Sequence, residues 1–372
     1  MKKEVIIIGA GASGILSAIL IKREKLDCKV TIIEKENKIA KKILASGNGK
    51  CNLSNLNLDV DNYNQIDFLK EKLNEFDYKK LKDIFLSIGL IIKTDKESRA
   101  YPYSESSKTV VDVLQYNLDK LDIKVLLETE IIKIEKNVRF ELYSKEEKFE
   151  TDYLIMAVGG MAAVNNFNGY KLLKEFNHNY KEPMPSLVGL ITYEDVKRLK
   201  GVRVKSRVYA NGLEEDGEVQ FRENGISGIV VMNLSRAIKE NDFVCLDLMP
   251  DYSVSALENM FNGKDTLKVL EGIFVKELAN YIYSLGKNIN QVISNIKKLS
   301  FKVKAKDSFK NAQVTKGGII INEIDDSFES KNVKGLYILG ETLDVDGICG
   351  GYNLHFAWLS SYFASLDLIK KL

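Results

Sequence analysis

The stretch from Glu4 to Glu34 restricts the fold of this chain more than any other part of the sequence. An apolar run typical of a β-strand, residues 5–8, ends at the segment GAGASG, and a helical pattern follows over residues 13–25. A second apolar run, residues 30–33, ends at Glu34, which lies about twenty residues beyond the last glycine of that segment. Strand, glycine turn, helix, strand and terminal acid therefore follow one another in βαβ order.

Each glycine of this turn has its own physical reason. Gly9 would allow the tight turn, Gly11 would let the backbone approach a pyrophosphate, and Gly14 would let the helix lie close to the strand. The helix N-terminus offers N–H groups and a partial positive charge to phosphates, and Glu34 can accept hydrogen bonds from ribose hydroxyls. The pattern favours a dinucleotide site over a plain βαβ core unit, but it does not distinguish FAD from NAD.

Length and composition predict a large folded protein without a strong electrostatic partner. With 372 residues, 45% of them hydrophobic, the chain can bury enough core for two or three domains. The 54 basic residues nearly cancel the 52 acidic ones, so we expect no general attraction to nucleic acid or to an anionic membrane. No CxxC pair occurs, which argues against a zinc site or a redox dithiol, and no metal site is predicted; the cysteines are Cys28, Cys51, Cys245 and Cys349.

The sequence shows no targeting or membrane segment. The apolar run at residues 5–8 is too short for the core of a signal peptide, and it leads into the glycine turn. No apolar run reaches the length of about 18 residues that a membrane-spanning helix needs. We therefore expect a cytoplasmic protein without a membrane partner.

A second glycine-rich segment, residues 46–52 (SGNGKCN), has too many glycines and asparagines for a helix or a strand. Its backbone can wrap closely around a planar or phosphorylated ligand. Within it, Cys51 is either a nucleophile, which would need a base such as His178 or His355, or a small residue packed beside a cofactor. We favour packing. Lys41 and Lys42, which precede the segment, either neutralise phosphates or lie at a solvated helix end.

Two further strand ends are predicted to meet the same dinucleotide. Residues 124–134 are strand-like with a break at Thr129 and Glu130, where backbone groups of two-domain flavoproteins often meet an adenine edge. A simple strand bend fits that pattern equally well. Residues 153–158 form an apolar strand that closes on Gly159 and Gly160, which fits a second backbone approach to the dinucleotide.

The end of the sequence predicts a third strand and a long helix at the same site. Residues 335–339 form a short apolar strand that ends at Gly340 and Glu341; in glutathione-reductase-like flavoproteins such a strand delivers an acid to the ribityl and phosphate region. Gly350 and Gly351 then open a helix over residues 354–369. Its N-terminal dipole can face the flavin N1–C2=O edge and favour the reduced flavin, although an ordinary glycine turn is the alternative.

Five motifs resemble those of a single bacterial flavoprotein family. They are IIIGAGASG, ASGNGKCNLSN, SRAYPYSESSKTVVDVL, LIMAVGG and GETLDVDGICGGYNL, and such pieces follow the family order across residues 4–364. The chain thereby resembles the BaiN-like group, also called aminoacetone-oxidase-like FAD-binding proteins. One departure concerns the TGDGY-type loop that usually follows the paired glycines. Here the loop reads Asn165-Asn166-Phe167-Asn168-Gly169-Tyr170, so only its last two residues are retained.

The resemblance implies an α/β fold: a Rossmann-like FAD-binding domain of the glutathione-reductase type, interrupted by an inserted β-barrel plus helical domain. The FAD-binding domain would comprise residues 1–185 and 313–372, with the insert at 186–312. Short alternating runs and turns favour antiparallel β-structure at about 186–252, and helical patterns follow at about 253–312. We expect the insert to cover the flavin and form the substrate pocket, with residues 225–228 (GISG) as either a flavin-approaching loop or a β-turn.

The family resemblance also implies a reaction. Characterised reductases of the family act on conjugated carbon–carbon double bonds of oxo-steroid-like substrates, which implies an FAD-dependent reductase of a small enone. No second GxGxxG in a strand–turn–helix setting occurs, so NADH or NADPH would dock transiently as the electron donor. The alternatives are a flavin amine oxidase using oxygen, a tRNA-modifying flavoprotein and a non-catalytic redox sensor. We expect no nucleic-acid partner, and the sequence does not define an oligomeric state.

The reduction needs a proton donor, for which Tyr352 and His355 are the candidates. His355 is more simply explained as a helix residue held by a neighbour, and Asp344 and Asp346 would bind flavin. The predicted cofactor-binding residues are Gly9, Ala10, Gly11, Ala12, Ser13, Gly14, Glu34, Lys35, Lys42, Ser46, Gly47, Asn48, Gly49, Lys50, Cys51, Asn52, Thr129, Glu130, Ile131, Ala157, Val158, Gly159, Gly160, Gly340, Glu341, Asp344, Asp346, Gly350, Gly351, Tyr352, Asn353 and Leu354.

Overall fold

The structure is a computed structural model that describes residues 2–163 and 167–372. Asn165 and Asn166 of the departing loop lie outside the described residues. In the described part the strands are β1 (Glu4–Ile8), β2 (Lys29–Ile33), β3 (Ser54–Asn55), β4 (Ile92–Thr94), β5 (Arg99–Pro102), β6 (Lys124–Leu126), β7 (Lys133–Lys136), β8 (Phe140–Tyr143), β9 (Lys148–Thr151), β10 (Tyr153–Met156), β11 (Tyr180–Ser186), β12 (Leu190–Thr192), β13 (Arg203–Ala210), β14 (Leu213–Arg222), β15 (Gly225–Ser227), β16 (Phe243–Asp247), β17 (Leu299–Lys306), β18 (Val314–Ile319) and β19 (Leu336–Ile338). The α-helices are α1 (Ala12–Glu24), α2 (Lys41–Ala45), α3 (Ile66–Glu75), α4 (Tyr78–Ser87), α5 (Ser107–Lys120), α6 (Gly169–Lys174), α7 (Ile229–Ser235), α8 (Val254–Phe261), α9 (Thr266–Ile273), α10 (Lys276–Leu285), α11 (Ile289–Lys297) and α12 (Tyr352–Lys371).

Two compact units divide the chain. One combines residues 1–184 and 314–372, and the other is residues 185–313. Each unit has its own cluster of buried apolar side chains. The first unit is therefore discontinuous in sequence, because its last part returns after the second unit is complete.

A five-stranded parallel sheet forms the centre of the first unit, in the order β19-β10-β1-β2-β6. Its inner strands are apolar along nearly their whole length, as expected where helices cover both faces of a parallel sheet. Helices α1 and α12 pack against each other, and Ser361 of α12 donates a hydrogen bond to the carbonyl of Ser13 over 2.9 Å. The carboxyl ends of all five strands meet at one edge of the sheet, where ligands bind in such folds.

Small antiparallel sheets complete this unit. One has the order β3-β5-β4 and another the order β7-β8-β9, while β11 pairs with β18. The predicted break in residues 124–134 is wider than a single bend, because β6 ends at Leu126 and β7 begins at Lys133. The residues between these two strands therefore lie free of the sheet, next to the carboxyl end of β6.

The second unit contains a closed six-stranded barrel in the order β12-β15-β14-β13-β16-β17. The predicted GISG loop is not a loop: residues 225–227 form β15, and Gly228, with a φ of +111°, precedes helix α7. Helices α8–α11 occupy residues 254–297, but the predicted helical stretch 253–312 also contains β17. Strand β17 pairs with β12 and β16, so it closes the barrel from a position distant in sequence.

Within the described residues, no helix combines the length and apolar character that crossing a bilayer requires.

Candidate cofactor site

Four of the segments predicted to bind the cofactor begin at the carboxyl edge of the parallel sheet in the first unit. Gly9 follows β1, Glu34 follows β2, Ala157 follows β10 and Gly340 comes two residues after β19. These strands are neighbours in the sheet. The site is thus assembled from both sequence segments of this unit.

The three glycines of the first turn have different surroundings. Gly9 has a φ of +106°, and a Cβ atom there would lie 2.3 Å from the carbonyl oxygen of Ala157. A Cβ at Gly14 would lie 2.0 Å from the Gly9 oxygen, which explains the close packing of α1 on the turn. At Gly11, by contrast, a Cβ would meet no heavy atom within 4 Å. Gly9 and Gly14 are needed by the fold, whereas Gly11 borders open space beside the α1 N-terminus.

Glu34 is held in place by two backbone amides. Its Oε2 accepts from Ala10 N–H over 2.7 Å and its Oε1 accepts from Glu36 N–H over 2.9 Å. Each carboxylate oxygen has a second lone pair, so ribose hydroxyls can still donate to it. A cleft of about 460 Å³ begins at the next residue, and its lining includes Lys35, Thr129 and Glu130. The predicted adenine residues and the residue after Glu34 therefore line one cavity.

Residues 46–52 form a tight segment in which several residues have left-handed backbone conformations. Gly47 and Asn48 have φ values of +56° and +55°, and Cys51 has a φ of +59°. The Cys51 side chain is fully buried, and burial raises the pKa of its thiol to about 12. It therefore remains a protonated thiol at neutral pH, which favours packing over nucleophilic chemistry. Lys50 points away from this segment, because its Nζ pairs with the exposed Glu105 at 2.7 Å.

The paired glycines after β10 adjoin an ion pair. Lys42 Nζ donates to the Gly160 carbonyl over 3.1 Å and pairs with Glu341 Oε2 at 2.9 Å. The other oxygen of Glu341 accepts from Thr315 N–H over 2.7 Å. A Cβ at Gly160 would lie 2.5 Å from the Thr315 hydroxyl oxygen. Glu341 thus joins the ends of β10 and β19 to β18 and fixes the Lys42 ammonium.

Asp344 and Asp346 have structural partners within the unit. The buried Asp344 carboxylate accepts from Gln65 Nε2 over 3.2 Å and from Gly317 N–H over 3.1 Å, and it pairs with Lys181 at 3.3 Å. Burial raises the pKa of Asp344 in spite of the lysine. The backbone N–H of Asp346 donates to Asn64 over 2.9 Å. This network fixes the loop between β19 and α12, and for Asp344 it favours a structural role over direct flavin binding. The bond cited for Asp346 involves its backbone, so the flavin contact of its carboxylate stays a prediction.

The turn before α12 packs tightly on residues 52–54. Gly351 has a φ of +101°, and a Cβ there would lie 2.3 Å from the Ser54 carbonyl oxygen and 2.8 Å from Asn52 Oδ1. The Tyr352 hydroxyl donates to the Asn57 carbonyl over 3.2 Å, and the Asn353 side chain bonds both backbone groups of Gly347. Segments from the two ends of the unit therefore touch here.

His355 is fully buried and both of its ring nitrogens have protein partners. Nε2 lies 2.9 Å from the Phe76 carbonyl, which can only accept, so Nε2 carries the proton. Nδ1 accepts from the Ser54 hydroxyl over 2.8 Å. Burial lowers the pKa of His355 to about 4, so the ring stays neutral. This geometry favours the structural explanation for His355 over proton donation to a substrate.

One residue of this region, Tyr170, was not among the predicted site residues. Its side chain is 5% exposed, and its hydroxyl has no hydrogen-bond partner among residues 2–163 and 167–372. The sequence offered no signal for it beyond its place after Gly169, because an unpaired hydroxyl is a property of tertiary packing.

The surroundings of the site fit an extended polar ligand. Open space lies at Gly11, where phosphates can approach the α1 N-terminus. Among the buried side-chain polar atoms for which the described residues show no hydrogen bond, Asn52 Oδ1 and the Tyr170 hydroxyl belong to this region. Buried polar groups in native proteins are rarely left unpaired, so a ligand or an ordered water is expected to supply their partners. A dinucleotide with a ribityl chain and a flavin ring meets these requirements.

The fold and this site define the class: the protein is an FAD-dependent oxidoreductase with a Rossmann-like dinucleotide-binding domain. A family model described as "HI0933-like protein Rossmann domain" matches residues 3–367, and the chain belongs to that family. The fold class and family resemblance predicted from sequence are thereby confirmed.

Individual relatives and solved structures extend this comparison. The chain is 33% identical to a 3-dehydro-bile acid delta(4,6)-reductase of Clostridium scindens, over 96% of this chain and 97% of the relative. It is 29% identical to a ribosomal RNA dihydrouridine synthase of Haemophilus influenzae, over 99% of both chains. Its fold is similar to that of a 3-ketosteroid delta1-dehydrogenase from Sterolibacterium denitrificans, with a TM-score of 0.54, 12% identity and 99% coverage of both chains.

Proposed function

We propose that this protein reduces a carbon–carbon double bond conjugated with a carbonyl group in a small molecule, with NADH or NADPH as the electron donor. The observation that carries the proposal is the similarity, over nearly the whole chain, to a 3-dehydro-bile acid delta(4,6)-reductase. The name of that relative describes reduction of double bonds conjugated with a 3-oxo group. The carboxyl edge of the parallel sheet offers surroundings that suit the FAD which such a reduction requires.

When bound, FAD supplies hydride transfer to the double bond. The residues of the chain hold and orient it: the open backbone at Gly11 receives the phosphates, and Glu34 receives the ribose hydroxyls. The α12 N-terminus adds a partial positive charge at the site. Tyr352 is the proposed proton donor, because its hydroxyl makes one long bond of 3.2 Å that a substrate oxygen or carbon can replace.

Anaerobic stopped-flow spectroscopy tests the proposal. Reduction of the protein-bound flavin by NADH or NADPH should be followed by reoxidation with an enone such as a 3-oxo-Δ4 steroid, and the saturated ketone should form. Flavin that is reduced by amines and reoxidised by oxygen with release of hydrogen peroxide would instead identify an oxidase. Flavin that reacts with none of these partners would contradict the proposal.

The proton-donor assignment has its own variant. Tyr352→Phe should retain bound flavin and its reduction by the nicotinamide, but it should slow product formation about a hundredfold, the usual contribution of a general acid. His355→Asn serves as the comparison, because His355 does not face a substrate in this geometry. Equal product formation by Tyr352→Phe and the unmodified protein would remove Tyr352 from the reaction.

A second candidate substrate is uridine in ribosomal RNA. Its support is the similarity to the ribosomal RNA dihydrouridine synthase of Haemophilus influenzae. The two candidates share one chemistry, because forming dihydrouridine saturates a double bond conjugated with the uracil C4 carbonyl. The net charge of only +2 favours the small molecule, since RNA-binding proteins carry concentrated positive charge. Incubation with ribosomal RNA that lacks dihydrouridine, followed by nucleoside mass spectrometry, distinguishes them.

A further inference from the structure

The hydroxyl of Tyr170 is a buried polar group for which the described protein residues provide no partner. Only 5% of the residue is exposed, and residues 2–163 and 167–372 offer this oxygen no hydrogen bond. Buried hydroxyls in native proteins are rarely left unpaired, so a bound ligand is one expected source of the missing partner. Water is the other common partner, and a binding experiment separates the two.

Tyr170 lies at the strand ends that form the cofactor site. Helix α6 begins at Gly169, where a Cβ would come within 2.5 Å of Val158, the residue before the paired glycines. The Tyr170 ring stacks on Tyr180 with centroids 5.3 Å apart and planes 17° apart, and it also contacts Phe167 at 4.7 Å. Two aromatic neighbours therefore hold the ring, and the hydroxyl has a defined position.

The charges around this hydroxyl restrict the chemistry of its partner. Burial, together with the negative charges of Glu341 and Asp344, holds the pKa of Tyr170 well above its usual range. It is therefore a protonated donor. Lys42 and Lys181 neutralise these two carboxylates, and the phosphates of the cofactor are assigned to Gly11 at the end of β1. A sugar-alcohol hydroxyl is neutral, can accept from Tyr170 and can donate to a carboxylate.

We propose that the Tyr170 hydroxyl donates a hydrogen bond to the ribityl chain of bound FAD. FAD carries neutral hydroxyls on its adenosine ribose and on its ribityl chain. The ribose is assigned to Glu34 after β2, so the ribityl chain is the part that remains for a phenol at the end of β10. Tyr170 is thus an additional cofactor-binding residue, whose role depends on FAD and not on which substrate the enzyme reduces.

The Tyr170→Phe variant tests this role by binding and stability. Removing an unpaired buried hydroxyl should leave the melting temperature of the FAD-free protein unchanged or higher. FAD affinity should fall about 3- to 10-fold, the effect of one hydrogen bond. Affinity for ADP, which carries the pyrophosphate and adenosine but lacks the ribityl chain, should stay the same. FAD and ADP binding are measured by calorimetric titration, so the result does not depend on activity.

Tyr180→Phe is the matched control, because it keeps the stacked rings and removes a hydroxyl from a residue that is 37% exposed. It should bind FAD and ADP as the unmodified protein does. Three results for Tyr170→Phe would overturn the proposal. Unchanged FAD affinity would show that no such bond exists, and equal losses for FAD and ADP would move the contact to the pyrophosphate or the adenosine ribose. A lower melting temperature without FAD would show that the hydroxyl has a partner within the chain.

Discussion

Replacing Gly11 or Gly14 of the first turn by alanine should have different effects: the first should lower FAD affinity, and the second should lower stability. Gly11→Ala places a methyl group in open space, so the FAD-free protein should melt at the temperature of the unmodified protein. FAD affinity should fall at least about tenfold, because the methyl group occupies the approach path of the phosphates.

Gly14→Ala is the matched comparison. Its methyl group would lie 2.0 Å from the Gly9 carbonyl oxygen, so the free energy of unfolding should fall by about 3 kcal/mol or more. Thermal melting without FAD and a flavin titration measure both effects. A Gly11→Ala variant that binds FAD normally would move the phosphates away from this turn.

His355 predicts a pH dependence of stability. Its folded-state pKa is about 4, below the ordinary value of about 6.5, so the unfolded chain binds the proton more readily between these pH values. The contribution of His355 to the free energy of unfolding is therefore fully present above a pH of about 6.5. It falls by about 3 kcal/mol as the pH drops toward 4. The free energy of unfolding, measured with urea across this pH range, should fall more steeply with falling pH for the unmodified protein than for His355→Asn. Equal pH dependence of the two proteins would contradict the assignment.

At the level of elements, the turn before α12 joins the two segments of the FAD-binding unit. Gly351→Ala should lower the free energy of unfolding by about 3 kcal/mol or more, because it adds a clash with Ser54 to the strain of a φ of +101°. Gly89→Ala is the control, since Gly89 has a φ of +94° with no atom near its would-be Cβ, and it should cost only about 1 kcal/mol. Equal costs for the two variants in chemical unfolding would show that the contact with Ser54 is not tight.

Elements with a strong local pattern were predictable from sequence, and those that depend on distant partners were not. The βαβ unit at residues 4–34 and the strand ending at Gly159 follow from apolar runs and glycines alone. Strand β17 was placed in a helical stretch because it follows four helices in sequence, and only pairing with β12 and β16 makes it a barrel strand. Strand β15 has three residues, too few to show an alternating pattern.

The residues of the candidate site also fall into those that were predictable from sequence and those that were not. Residues whose role depends on backbone conformation, such as Gly9, can be recognised in the sequence, because glycine adopts conformations that other residues avoid. The roles of Asp344, His355 and Tyr170 depend on which side chains surround them, and the sequence does not contain that information locally. For that reason His355 was a candidate donor from sequence, although in the fold it links Ser54 to Phe76.

At the level of the whole molecule, the second unit has the features of an independent folding unit. It contains a closed barrel, five α-helices and its own buried core. We predict that residues 185–313 alone unfold cooperatively in circular dichroism and bind no FAD. In the full chain, the single tryptophan, Trp358, lies in the first unit and should report its unfolding alone, with a transition that FAD shifts upward. A fragment that lacks cooperative unfolding would contradict the independence of this unit.

The division of the FAD-binding unit into two sequence segments has a consequence for biosynthesis. A ribosome delivers residues 1–184 first, yet β19 and α12 emerge only after the entire barrel has been translated. Until β19 is translated, β10 is the exposed edge strand of an incomplete parallel sheet. We therefore expect the nascent chain to be prone to aggregation and to bind chaperones during that interval, and we expect flavin to bind late in the maturation of the enzyme.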